Sequence, residues 1–348
     1  MSFLQIRKRH RKPLKIITVL FLVMIIAGLW YVNRLYNSVF ENNVRIPEYE
    51  IYLDHSLSFR DLADRLEKDQ ALLDAGAFRR TLKLMKTDDA RVPAGHYKLK
   101  QEMSNREMIN MFRSGAQAPV RVIVRKARLP GDLAEDIAVQ LRFSSDSLLR
   151  WLRDTAFVDS LGFDLHTIMG IFLQDTYEMY WTITPRDFIL RMKKEYERYW
   201  NEKRREEAAK KNLSPMEVIT LASIVEEETA KEDEKPVVAG LYLNRLRRGW
   251  RLQADPTVRF ARGDFSSKRV YLRDLEAESE YNTYKIDGLP PGPICIPSKS
   301  SIEAVLHAEA HPYMFMCARP DFSGYHNFAR TASQHERNRQ AWIRALRK

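Results

Sequence analysis

The spacing of apolar positions along this chain changes several times, and each change marks an element. Ile16 to Val32 is apolar without a single charge. That run is at the short end for a membrane-spanning helix, and Trp30 and Tyr31 close it where aromatic side chains favour a membrane interface. Residues 33–43 read as a connector. From Val44 to Tyr52 apolar and polar residues alternate loosely, as in a strand. The period then lengthens: Leu57, Leu62, Ala63 and Leu66 share one side of a helix starting near Ser56. A second helix is predicted over Ala75 to Met85, and a turn at Pro93-Ala94-Gly95 leads into the strand H-Y-K-L. Ser104 and Glu107 form a capping box for a third helix that Gly115 ends. Residues 44–118 are thus a small βααβ-like unit with nothing catalytic in it.

The rest, 119–348, predicts a mixed α+β domain. P-V-R-V-I-V-R from Pro119 is a strand, and R-L-P-G-D-L-A-E-D-I-A opens a helix. Short helices follow around 146–153 and 156–161. Gly170 to Tyr180 is an apolar and aromatic strand or loop. Thr184-Pro185 caps a long charged helix expected to reach about Lys211. Ser214, Pro215 and Glu217 then start another helix with a capping box and a pre-set proline. A further helix runs from about Asp233 to Arg248 and closes at Gly249. After it the chain becomes rich in Pro, Gly and aromatics, the kind of rigid loop on which sites are built. The C-terminus returns to a helix (S-S-I-E-A-V-L), two strands (Y-M-F-M-C-A and H-N-F-A) and a last helix from Ser333.

The helix from Ser214 carries an apolar stripe into three glutamates, Glu226, Glu227 and Glu228. Successive helix residues are rotated by about 100°, so the three cannot share a face. Glu226 falls at the edge of the apolar face, in line with Ile219 and Ala222. A carboxyl there would be partly desolvated and hold a proton near neutral pH. Glu228, near Leu221 and Ile224, is not excluded. Glu227, with Lys231 four residues on, reads as a solvated surface residue.

Charge and cysteines refine this picture. The chain has 348 residues and a formal net charge of +11. Arg7, Lys8, Arg9, Arg11, Lys12 and Lys15 concentrate much of that charge in residues 1–15. No small-x-small cleavage site follows the apolar run, so 16–32 reads as an uncleaved anchor with its basic tail in the cytoplasm. The remaining positive excess suits an anionic surface or polymer as well as nucleic acid. Cys295 and Cys317 would lie outside the cytoplasm, where pairing is open to them. No Cys/His cluster has zinc spacing, so no metal is expected.

Several motifs then converge. L-A-S-I-V-E-E-E-T resembles the signature of the endolytic murein transglycosylases, the YceG-like family. G-I-F-L-Q-D-T-Y-E, N-R-L-R-R-G-W-R-L-Q-A-D-P-T-V, Y-N-T-Y-K-I-D-G-L-P-P-G-P-I and H-N-F-A-R-T-A-S-Q-H resemble its other blocks, in order, over roughly residues 44 to 342. Gln174, Ala254 and Glu336 depart from the usual residues. The resemblance implies a LysM-like subdomain at 44–118 and a catalytic domain at 119–348. It implies an enzyme anchored in the inner membrane, acting in the periplasm on peptidoglycan glycan strands beside peptidoglycan synthases, with no cofactor and no nucleic acid. The activity implied is cleavage of the MurNAc–GlcNAc β-1,4 bond to a 1,6-anhydro end, terminating nascent strands.

A hydrolase needs two carboxylates, whereas a lytic transglycosylase needs one, as acid and then as base. The resemblance aligns Glu226 with the catalytic glutamate and Glu228 with the second acid of the signature. Glu228, Gln253, Asp255, Tyr281, Asn282, Tyr284 and Tyr177 are expected to bind substrate, with Trp250 and His326 also candidates for the cleft. Two other readings stay open: a hydrolytic muramidase using Glu226 with Asp255, and an anchored glycan-binding scaffold without catalysis.

Overall fold

The computed structural model of the chain describes residues 11–266 and 270–347. The start of the expected basic tail, Arg7 to Arg9 included, lies outside the described residues. The fold is mixed α+β and divides into two compact units: residues 1–120 with 180–182, and residues 121–179 with 183–348.

The first unit begins with one unbroken helix, Arg11–Phe40, of which Lys15–Phe40 is long and apolar enough to cross a bilayer. The expected connector at 33–43 is therefore mostly helix. Local packing explains the difference. The backbone oxygen of Ser38 accepts hydrogen bonds from Thr81 Oγ1 (2.7 Å) and Asn105 Nδ2 (2.7 Å), so the helix end is held by its own unit. Beyond it, strand Glu48–Leu53 pairs antiparallel with Gly95–Lys100. Helices Phe59–Lys68, Ala75–Leu84 and Asn105–Ser114 cover the pair. Ile51, Leu53, Phe59, Phe78, Tyr97 and Phe112 fill the core between them. The capping box at Ser104 and Glu107 closes in both directions, and Gly115 takes the left-handed conformation that ends the helix.

In the second unit, strand Pro119–Val124 pairs with Asp175–Tyr180, which follows a 3₁₀ turn at Ile168–Ile171. Short helices Pro130–Ala138, Ser145–Leu152 and Thr155–Ser160 lie between them. The long charged helix expected from Thr184 is two helices, Pro185–Tyr199 and Glu202–Ala209. The break serves burial: Trp200 is enclosed by the core, and the Asn201 side chain caps the second helix. Helix Pro215–Glu228 runs through the middle of this unit, with every residue from Val218 to Val225 buried. It ends at Glu228, where Thr229 is extended. Helix Lys235–Arg247 follows. Asp255, expected in the rigid loop after Gly249, instead opens helix Asp255–Arg262. Helix Lys299–Leu306, the antiparallel strands Phe315–Ala318 and His326–Ala329, and helix Ala332–Leu346 complete the unit. Cys295 and Cys317 are free thiols.

Candidate active site

The three glutamates leave the core on three sides of the last helical turn, and each meets a different chemistry. The segment Pro290–Ser298 decides the first. Gly292 passes so close to the carbonyl of His166 that a Cβ there would lie 2.0 Å from it, which is why this turn needs glycine. The chain then crosses the glutamate helix. Ile294 N donates to Ser223 Oγ (3.0 Å), and Ile296 N donates to the Ala127 oxygen (2.9 Å). That crossing delivers Ser298 to Glu226.

Glu226 Oε2 accepts hydrogen bonds from Ser298 Oγ (2.5 Å), Ser301 Oγ (2.5 Å), Ser298 N (3.3 Å) and Lys235 Nζ (3.3 Å). Burial alone would raise this carboxyl, but the two hydroxyls, the ammonium and the backbone N–H outweigh it. Glu226 is held below the ordinary carboxylate range. This corrects the expectation from the helical wheel. The wheel located an apolar helix edge correctly, but the polar partners that fill it come from residues 235 to 301.

Glu227 is likewise not a solvated residue. Its side chain is 7% exposed and forms ion pairs with Lys126 (2.8 Å) and Arg128 (2.9 Å). Both cations lie just past the strand Pro119–Val124, so Glu227 fastens the end of the glutamate helix to that edge.

Glu228 is the carboxyl with few polar partners. Tyr242, fully buried on helix Lys235–Arg247, donates its hydroxyl to Glu228 Oε1 (2.5 Å). Oε2 has no hydrogen-bond partner among the described residues, and the side chain keeps partial access to solvent. Burial pushes this carboxyl up to about 6; the Tyr242 hydroxyl opposes the rise, and the nearby Asp255 carboxylate adds to it. His326 and Arg259 are close enough to pull in the other direction.

The block ending in D-P-T-V and the Y-N-T-Y block form one structure. Thr283 Oγ1 accepts from Ala254 N (3.0 Å) and meets Thr257 Oγ1 at 2.8 Å, both fully buried. The lattice pins the loop to the start of helix Asp255–Arg262. Tyr284 can therefore donate its hydroxyl to Asp255 Oδ1 (2.6 Å), and burial beside that carboxylate raises the phenol far above its usual range. Asn282 plays a different part from the one expected. It is fully buried, and its amide donates to the oxygens of Leu275 and Ala277 (2.8 Å each) while its Oδ1 accepts from Tyr284 N (3.1 Å). It shapes the loop and offers nothing to a sugar. Tyr177 is also corrected: it is buried, and its hydroxyl is spent on the Leu173 oxygen (2.9 Å).

The other expected residues differ in availability. Gln253 is exposed, with a left-handed backbone (φ 49°) fixed by its N–H on the Thr283 oxygen. Trp250 is 41% exposed, its ring edge-on to Phe315. Tyr281 is half-buried against Phe260, which pushes its phenol up to about 12. His326 is held by Glu234, which accepts from the His326 backbone N–H (2.7 Å) and pairs with Nδ1 (2.9 Å). Reading the sequence missed Tyr242, Glu234, Lys235, Ser298, Ser301 and Arg259. Lys235 did leave a trace: a cation in the first turn of a helix opposes the helix dipole, and here only Glu226 and Glu232 justify it.

A family model described as the YceG-like family matches residues 51–341. The chain belongs to the YceG-like family. This YceG-like chain is 27% identical over 316 residues to the Bacillus subtilis (strain 168) protein named endolytic murein transglycosylase, covering 86% of the chain and 84% of the relative. A protein of the same name from Streptococcus pneumoniae (strain ATCC BAA-255 / R6) is 24% identical over 281 residues, and the YceG-like chain spans only half of its length. Among solved structures, a YceG-like protein of Listeria monocytogenes superposes with a TM-score of 0.57 at 27% identity, over 84% of this chain and 98% of that one.

Proposed function

We propose that this protein is an endolytic peptidoglycan lytic transglycosylase whose acid and base is Glu228. The observation that carries the reading is the Glu228 carboxyl: raised to about 6, one oxygen fixed by Tyr242, the other unpaired and reached by solvent. A general acid needs a proton held near neutral pH and an oxygen free to deliver it. Glu226 also keeps one oxygen, Oε1, free of partners among the described residues, but its carboxyl is held below the ordinary range, so the acid role expected for it is proposed to pass to the second acid of the signature. The names of the Bacillus and Streptococcus relatives support the same activity.

In the proposed reaction Glu228 Oε2 gives its proton to the glycosidic oxygen as the bond to C1 of MurNAc breaks. GlcNAc leaves with a 4-hydroxyl. The Glu228 carboxylate then takes the proton from the MurNAc C6 hydroxyl, and O6 closes on C1. The product is a 1,6-anhydro end, no water is consumed, and Glu228 is protonated again. Asp255, oriented by Tyr284, is proposed to supply the negative charge that favours the oxocarbenium-like transition state. Gln253, Tyr281 and the exposed Trp250 are proposed to hold the glycan.

Residues 44–118 would serve as a LysM-like subdomain and 119–348 as the catalytic domain. The anchor helix is proposed to cross the inner membrane with its N-terminus inside. Both units would then face the periplasm, where cleavage would terminate nascent strands next to peptidoglycan synthases.

Incubating sacculi with wild type, Glu228→Gln and Glu226→Gln tests this, with mass spectrometry of the products. Anhydro ends from wild type and Glu226→Gln but not from Glu228→Gln are expected. Reducing ends would instead indicate a hydrolase pairing Glu228 with Asp255. Full activity of Glu228→Gln would sink the assignment.

A further inference from the structure

The cations around the proposed acid are nearly all neutralised. Lys126 and Arg128 share Glu227, Lys235 lies between Glu226 and Glu232, and Arg262 pairs with Asp274 at 2.8 Å. Arg245 spends its guanidinium on the oxygens of Met314 and Leu252. Arg259 is the exception. It lies one turn beyond Asp255, half-exposed, and its guanidinium has no ion pair or hydrogen bond among the described residues. The helix dipole does not explain it, because Arg262 already supplies a cation to the same last turn. Its surroundings form a recess: Arg128, Glu227, Phe260 and Phe265 line it with Arg259, and the Arg128 guanidinium, paired with Glu227, stacks over Phe265 at 5.1 Å. Glu227 and Arg128 offset each other, so the charge left over in this lining is that of Arg259, beside the two aromatic rings, and Glu228 is close enough to feel it.

We infer that Arg259 is a specificity-determining residue that binds a carboxylate of the peptide stem carried by MurNAc. This rests on the transglycosylase reading. A β-1,4 GlcNAc–MurNAc backbone carries no charge once the lactyl group is amide-linked to its stem. The anionic groups that reach such a site are the carboxylates of the stem amino acids, flanked by alanine methyls. An unpaired guanidinium fits the first, since planar carboxylates suit its fork of donors. The faces of Phe260 and Phe265 fit the second. Arg259 thus makes the protein favour strands whose stems carry free carboxylates.

The test compares kcat/KM of the full chain, in detergent, on glycan strands with free stem carboxylates and on the same strands with those carboxylates converted to primary amides, which leaves the lactyl amide intact. Wild type should prefer the carboxylate-bearing strands by about tenfold or more, as expected of one charge-assisted hydrogen bond. Arg259→Gln should bring that ratio close to one, mainly through a raised KM on carboxylate-bearing strands, and Arg259→Lys should retain part of it. A merely structural arginine would lower both substrates together and leave the ratio unchanged, which would overturn the inference. Equal wild-type activity on both substrates would overturn it too, while leaving the transglycosylase reading intact. Wild type cleaving neither substrate would remove both readings at once.

Discussion

Replacing Glu228 by glutamine should inactivate this protein and stabilise it. The carboxyl is pushed from an ordinary 4.5 to about 6 in the folded state. That difference corresponds to about 2 kcal/mol, an upper figure because the side chain keeps some solvent access. The sign follows from proton binding. Between pH 4.5 and 6 the folded state holds more of the proton than the unfolded chain, so stability is lost as pH rises through this window. Above it the folded protein carries the full cost of a partly desolvated anion. Glutamine carries no charge, keeps an oxygen for the Tyr242 hydroxyl, and abolishes that cost. At pH 7 Glu228→Gln should therefore melt several degrees above wild type, at about 2–4 °C per kcal/mol for a unit of this size. At pH 4 the two should coincide. Glu226→Gln should behave in the opposite way, because its carboxyl is held low by Ser298, Ser301 and Lys235. That stabilisation is present above the ordinary carboxylate pKa and lost as pH falls. Thermal unfolding of the full chain in detergent, followed by near-UV circular dichroism at pH 4 and 7, measures both variants. A Glu228→Gln variant less stable than wild type at pH 7, or shifted equally at both pH values, would refute the reasoning.

Other consequences can be checked in parallel. Turnover should fall as pH rises through about 6, since only protonated Glu228 can act as the acid; a pH–kcat/KM profile flat from 5 to 8 would contradict this. Asn282→Ala should lower stability by about 1–3 kcal/mol, because the buried Asn282 amide no longer donates to the part-buried carbonyls of Leu275 and Ala277; urea titration reads the change. Tyr284→Phe should lower kcat with little change in melting temperature, by releasing the orientation of Asp255 at the proposed transition state. Gly292→Ala should destabilise strongly, since its Cβ would overlap the His166 carbonyl and displace the segment that carries Ser298.

Much of this fold is written in short-range patterns. The capping boxes at Ser104 and Ser214, the left-handed Gly115 and the alternation around Ile51 all depend on neighbours within a few residues. Those are the features a linear reading recovers. The misreadings share a different cause. Whether Glu226 or Glu228 keeps a proton depends on Ser298, Ser301 and Tyr242, which lie 14 to 75 residues away in the chain. A helical wheel ranks faces by the residues of one helix and cannot weigh partners brought by the next. Asn282 and Tyr177 failed in the same way. Both are polar residues inside motifs, and the structure uses their polarity to satisfy backbone groups. Thr283 and Thr257 explain why the two distant motif blocks occur together: each is half of one buried hydroxyl pair.

The unbroken helix Arg11–Phe40 has a mechanical consequence. In a membrane-seated chain the apolar run ends at Val32, and the remaining turns to Phe40 rise about 12 Å above it. Ser38 bonds Thr81 and Asn105 of the first unit, so this post has no hinge at its top. Any tilt or rotation of the span is transmitted to the first unit as a lever transmits torque. Bilayer thickness, which sets the tilt of a short span, would then set the angle at which that unit meets the wall.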